Sequence, residues 1–368
     1  MKKIFSNNLI RAAVFLLIAA IMVAGCSHLF RFVDAERTNT VFEEFYELED
    51  DSADCIFFGS SVTQRGYITP VAYHEYGIPA YLLASGTQPF WMIKYFMKET
   101  LKTQKPKLFV VELKGICKSV DWTGDVHIRR MLDNMKPSLN KLQIIRAIRQ
   151  YFPEDINGID STGLSYLFPI IKYHSQWSPN KRLKEFEAVD YYNGYSPVLR
   201  KSFNVKSFRQ FDYDDHTLQI DGQTEEALND LLDYCDTLED TKVLFVMPPY
   251  QASADGMGKM NYAKNIIEKR GYECLNLLDD EKRAEIGLDD RTCFHDKSHM
   301  NYYGALIYTR YFFNYLKENY GLEDRRGQEV CEKWESEYER LMQDLETRYL
   351  VRYTDMMTEI NQIRSEDR

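Results

Sequence analysis

Short apolar runs separated by stretches of helical spacing constrain this chain more than any other feature of it. The runs are CIFF at 55–58, AYLLA at 80–84, KLFVVEL at 107–113, KVLFVMP at 242–248 and YECLNLL at 272–278. Between them, residues 89–103, 224–238 and 260–271 carry apolar side chains at helical spacing, with Thr224 as the predicted start of the second helix. Strands that alternate with helices pair in parallel, since each crossover helix returns the chain to run in the same direction. The pattern predicts an α/β domain over residues 51–324.

The alternation fails from about residue 119 to residue 222, where YHSQWSPN and DYYNGYSPV read as one long insertion on the strand ends. After residue 324 the composition shifts again. Val330, Trp334, Tyr338, Leu341 and Leu345 recur at helical spacing among charges, which predicts an amphipathic C-terminal helix within 325–368. Its apolar face must cover something: its own domain is the simpler expectation, a partner helix the alternative. No internal repeat appears at the periods of solenoids or propellers. With 44% hydrophobic and 14% aromatic residues the chain is globular, and a formal charge of -10 argues against non-specific binding to nucleic acid phosphates.

The first residues are of a different kind. Lys2, Lys3 and Arg11 precede AAVFLLIAAIMVAGCSHLF, uncharged from residue 12 to residue 30 unless His28 is protonated. A helix of that length spans a hydrocarbon core of roughly 30 Å, and the basic residues ahead of it favour a cytoplasmic N-terminus. Residues 1–33 are therefore expected to be a membrane anchor or signal segment and 34–50 a linker, with the rest outside the cytoplasm. Val23-Ala24-Gly25-Cys26 resembles the lipobox of bacterial lipoproteins, which would make Cys26 a lipidation site; the apolar pattern continuing through Leu29, Phe30, Phe32 and Val33 favours an uncleaved anchor. The seven cysteines form no C-x-x-C pair and show no metal-ligand spacing, so neither a metal nor another cofactor is expected. Cys235 and Cys293 are candidates for pairing in an oxidising compartment.

Two local patterns carry chemistry. In DCIFFGSSVTQRGY, Gly59 turns the chain out of a strand and Ser60-Ser61 stand where a helix begins. A serine there is a helix cap or a nucleophile. In CFHDKSHMNYYG, Asp296 stands three residues ahead of His299, a spacing that lets the carboxylate accept from Nδ1–H and leaves Nε2 to take a proton from a hydroxyl. His295 lacks that spacing. If the serine turn and the Asp296–His299 turn meet at the carboxyl edge of the sheet, the two ends of the chain complete one site. The Ser61 amide, at a helix start, and Gly86 in ASGTQPF are the candidate oxyanion donors.

With those residues in order, the chain resembles the SGNH/GDSL hydrolase superfamily, and within it the DltD-like and AlgJ/AlgX-like extracytoplasmic acyl-transfer proteins, over roughly residues 50–320. Gly59-Ser60-Ser61 resembles the first block, with Ser61 in the nucleophile position; Gly86 resembles the oxyanion glycine of the second; Asp296-Lys297-Ser298-His299 resembles the terminal D-x-x-H. The G-x-N-D block after the third strand is missing, since KLFVVELKGICKSV offers Glu112, Lys114 and Gly115 but no asparagine. DltD-like members also lack that block, and the third oxyanion donor stays unassigned.

The resemblance implies a flavodoxin-like parallel sheet flanked by helices, and acyl transfer or ester hydrolysis through an acyl-enzyme on Ser61, with His299 as base then acid and Asp296 orienting it. It also implies a membrane-bound O-acyltransferase (MBOAT, DltB-like) as partner and a cell-surface polysaccharide or teichoic acid as acceptor, at the bacterial cytoplasmic membrane. In the insertion, Trp122, Trp177, Tyr191, Tyr192 and Tyr195 are candidates for stacking on sugar faces, with burial in the core as the competing role. The alternative function is a non-catalytic, membrane-anchored scaffold or polymer-binding protein of the same fold.

Overall fold

A computed structural model of the chain describes residues 2–33, 39–175, 190–200 and 214–366. These fall into two compact units, one made of residues 40–123 and 189–368, the other of residues 1–39 and 124–188.

The larger unit is built on five parallel strands: β1 (Cys55–Phe58), β2 (Ala80–Leu82), β3 (Leu108–Glu112), β4 (Lys242–Met247) and β5 (Glu273–Asn276), in the order β2-β1-β3-β4-β5. This is the flavodoxin-like order, an α/β sheet flanked by helices. β1 to β3 are buried along their whole length because helices cover both faces. On one face the helix Tyr302–Tyr320 lays Phe312 and Phe313 on Phe57, with ring centroids 5.9 and 5.8 Å apart. On the other, Phe58 meets Phe109 edge-on at 5.3 Å. Burying each such ring stabilises the fold by about 1.5–3 kcal/mol.

β1 is the hinge of the topology. From it the chain steps outward to β2, then back across to β3, so the loops after β1 and β3 diverge and leave a crevice at their carboxyl ends, where open α/β sheets place ligands. Phe58 pairs with Val111, so β3 runs one residue beyond β1 and sets Glu112 beside Gly59.

Several local details depart from the sequence pattern. The second predicted helix begins earlier than Thr224: it spans Gly222–Cys235, and Asp221 is the cap that accepts from the Thr224 N–H at 3.1 Å. The tail forms two helices, Glu332–Glu346 and Leu350–Glu366. Trp334, Leu341 and Leu345 are buried on the unit's own core, whereas Val330 lies ahead of the helix and is exposed. Cys235 and Cys293 are separate buried thiols.

The smaller unit holds the helices Asp125–Leu132, Leu139–Tyr151, Leu164–Leu167 and Ile170–Tyr173, and the fully buried Arg129 of the first sits against the Tyr166 and Tyr173 rings of the last two. Its guanidinium donates to both oxygens of Asp125, at 2.8 and 2.9 Å, and to Ser165 Oγ at 2.6 Å, so the buried charge is paired and hydrogen-bonded. The N-terminal segment is one helix, Lys2–Leu29, with Cys26 in its last turn and Leu9, Phe15, Leu16 and Leu17 exposed. The membrane span expected over residues 12–30 is not met: among the described residues no helix is long and apolar enough to cross a membrane.

Candidate active site

The two ends of the larger unit meet at the carboxyl edge of the sheet. Ser61 is the first residue of the helix Ser61–Gly66, and its Oγ lies 2.7 Å from His299 Nε2. On the far side of the ring, His299 Nδ1 lies 2.8 and 3.0 Å from the two carboxylate oxygens of Asp296. Asp296 has no proton to give, so Nδ1–H donates to it, Nε2 carries the lone pair, and the Ser61 hydroxyl donates to Nε2.

Each partner is held by its own stretch of chain. Asp296 Oδ1 accepts from the backbone amides of Ser298 and His299 at 2.8 and 2.9 Å, so the three-residue spacing forms a closed turn around the carboxylate. A bridge between Phe294 and Met300 closes the base of that turn. Asn301 then caps the helix Tyr302–Tyr320 through Gly304 N–H at 2.9 Å and ties back to Thr292 O at 2.7 Å. From the loop after β4, the backbone N–H of Gln251 donates to Lys297 O at 2.9 Å.

Electrostatics tune the pair. Burial is the largest influence on His299 and pushes its pKa below the ordinary value, as do the Arg65 and Lys114 cations, while the bond to Asp296 pulls the other way. For Asp296, burial favours the neutral acid, but the His299 ring and the two backbone amides overcome it and hold the carboxyl well below the usual range. The outcome is a neutral imidazole beside an ionised carboxylate. Lys114, in the turn Leu113–Cys117 after β3, sets its ammonium 4.6 Å over the Tyr250 ring.

Ser60 is the cap of the helix, its Oγ accepting from Val62 N–H at 3.2 Å. Gly86 is buried in the turn after β2, and that turn is stitched to the first by Ser85 N–H donating to Gly59 O at 3.2 Å. The aromatic candidates fall elsewhere. Tyr191, Tyr192 and Tyr195 are buried core residues, with Tyr192 and Tyr195 in the sheet's hydrophobic cluster and the Tyr192 hydroxyl bound to Asp344 at 2.6 Å, so they present no face to a sugar. Trp122 is 42% exposed beneath the Lys118 ammonium, and Trp177 lies outside the described residues.

Glu112 is the residue that pattern reading passed over as a site group. It is 4% exposed at the end of β3, directly under the serine turn. Ser60 N–H and Ser60 Oγ donate to it at 3.1 and 2.7 Å, Thr63 N–H and Thr63 Oγ1 at 2.9 and 2.5 Å. Gly59 is required by this approach: a Cβ there would stand 2.6 Å from Glu112 Cβ and 2.3 Å from Thr63 Oγ1. Only the missing asparagine after the third strand drew attention to this place, since a glutamate at a strand end has no motif of its own.

No protein-family model matches the chain. No curated protein matches it either. Among solved structures it is similar to a gut microbial diltiazem-metabolizing enzyme, at 10% identity and a TM-score of 0.34, over 72% of this chain and 47% of that one. It is also similar to a catalytic mutant of an acetylxylan esterase from Geobacillus stearothermophilus, at 12% identity and a TM-score of 0.34, over 76% and 99%. A third neighbour carries the description GDSL-like lipase and comes from Parabacteroides merdae, at 10% identity and a TM-score of 0.32, over 75% and 98%. The chain thus spans about half the length of the first of these. Likeness at this level lends the chain neither substrate nor mechanism.

Proposed function

We propose that this protein is a serine-dependent acyl-transfer enzyme, an esterase or O-acyltransferase, whose acyl group rests on Ser61. The observation that carries the reading is the unbroken relay from Ser61 Oγ through His299 to Asp296, in which every heavy-atom distance lies within hydrogen-bond range. Ser61 Oγ attacks the ester carbonyl while its proton passes to His299 Nε2. The alkoxide of the leaving alcohol then takes that proton as the tetrahedral intermediate collapses. Water or an acceptor hydroxyl, deprotonated by His299, attacks the acyl-enzyme and releases Ser61. The amides of Ser61 and Gly86 are the proposed donors to the oxyanion.

The proposed setting is the outer side of a bacterial cytoplasmic membrane, with a cell-surface polysaccharide or teichoic acid as acceptor and a membrane-bound O-acyltransferase as acyl source. Its support is the relay together with the N-terminal helix, whose exposed Leu9, Phe15, Leu16 and Leu17 suit attachment to lipid. Hydrolysis of p-nitrophenyl acetate and of an acetylated polysaccharide by wild type, Ser61→Ala, His299→Ala and Asp296→Asn tests the reading. The account expects a wild-type rate that the first two variants abolish. No rate in a folded wild type, with or without membranes that contain an O-acyltransferase, favours the non-catalytic scaffold instead.

A further inference from the structure

Serine nucleophiles need more than a base, because the hydroxyl must also be aimed. In this chain the stretch Ser60–Thr63 leaves β1 with little regular structure to hold it, since the helix it opens is only six residues long. Glu112 supplies what is missing. A carboxylate offers about four acceptor positions, two on each oxygen, and four donors converge on this one: Ser60 Oγ on Oε1, and Ser60 N–H, Thr63 N–H and Thr63 Oγ1 together on Oε2.

The pattern of what is bound and what is left has a consequence for Ser61. The amides on either side of it are occupied, Ser60 and Thr63 by Glu112 and Val62 by Ser60 Oγ, while the Ser61 N–H has no acceptor among the described residues. The turn is thus pinned at both ends by a carboxylate fixed to the neighbouring strand, with the nucleophile's hydroxyl on His299 and its amide open. Hydrogen bonds to a charged acceptor inside a dry interior are the strong ones, and the grip sits on the rigid sheet rather than on a loop.

From this geometry, and resting on the acyl-transfer reading above, we infer that Glu112 is the positioning residue of the site, acting through Ser60 and Thr63 to fix the direction of the Ser61 hydroxyl and to keep the Ser61 amide open for the oxyanion. It touches no substrate. Its effect belongs to the reaction at Ser61 and leaves the proton affinity of His299 to other groups.

The test compares full-length wild type with Glu112→Gln and Thr63→Val, reading the rate and final extent of fluorophosphonate labelling and the pH profile of p-nitrophenyl acetate hydrolysis. Glu112→Gln keeps the shape but removes the charge and sets an NH2 group where one oxygen accepted, against one donor at the Oε1 position or three at the Oε2 position. It is expected to label to the wild-type extent about 100-fold more slowly, with KM and the midpoint of the acid limb unchanged. Thr63→Val removes one of the four bonds and is expected to slow labelling by a smaller factor. Labelling of both variants at the wild-type rate overturns the inference. So does a slow rate accompanied by a raised KM or a lower labelled fraction in both variants, which is the signature of a folding role alone. Should Glu112→Gln fail to fold, Thr63→Val decides by the same criteria. Failure of the acyl-transfer reading looks different, since wild type itself would then resist labelling.

Discussion

A base must be unprotonated to accept the Ser61 proton, so whatever lowers the His299 pKa extends its working range toward acid. Burial and the Arg65 and Lys114 cations do so here, and the acid limb of the pH–rate profile is expected below the ordinary histidine value of 6.5. Removing a cation makes the imidazolium easier to form, which raises the pKa; Lys114→Gln should move that limb to higher pH, measured as the midpoint of kcat/KM against pH. Asp296→Asn removes the charge that fixes the tautomer and is expected to lower kcat by about 10³–10⁴-fold with KM little changed. Gly59→Ala forces a methyl group against Glu112 and should cost about 1–3 kcal/mol in denaturant unfolding, along with the labelling rate at Ser61. The serine, the histidine and the aspartate were legible because each sits in a contiguous pattern that physics ties to its role. Glu112 was not, because its partners lie 49 to 52 residues away in sequence and only the register of β1 against β3 brings them together.

Among the elements, the strands were the most legible, since CIFF and LFVVE form β1 and β3 where their buried, branched and aromatic character requires a sheet. Helix starts were less so. Thr224 reads as the start of its helix, but Asp221 three residues earlier accepts from the Thr224 amide and takes the cap position. The tyrosines at 191, 192 and 195 left two roles open in the sequence, sugar stacking or core, and the second holds: Tyr192 and Tyr195 bridge across a tight turn with Asn193 in the left-handed region and pack into the sheet's core. The helix Glu332–Glu346 packs against Thr69–Tyr76, where the Tyr338 ring stacks on His74 at 3.7 Å, and its fully buried Trp334 meets Tyr81 of β2 edge-on at 6.5 Å. Trp334→Ala is expected to destabilise the larger unit by about 3–5 kcal/mol in urea unfolding, a loss that a freely dangling tail would not give.

At the scale of the whole chain, the proposed attachment to lipid rests on the N-terminal helix, where Phe15, Leu16 and Leu17 are all more than 60% exposed. Changing those three to aspartate is expected to abolish flotation of the full chain with phospholipid vesicles while leaving labelling at Ser61 intact, each lost side chain weakening attachment by about 1.5–3 kcal/mol. The central claim, though, concerns Ser61, and intact-mass spectrometry after fluorophosphonate treatment tests it most directly. The account predicts one adduct per wild-type chain, located on Ser61 by peptide mapping, and none on Ser61→Ala or His299→Ala. An unmodified wild-type chain, or an adduct that persists in Ser61→Ala, would contradict it.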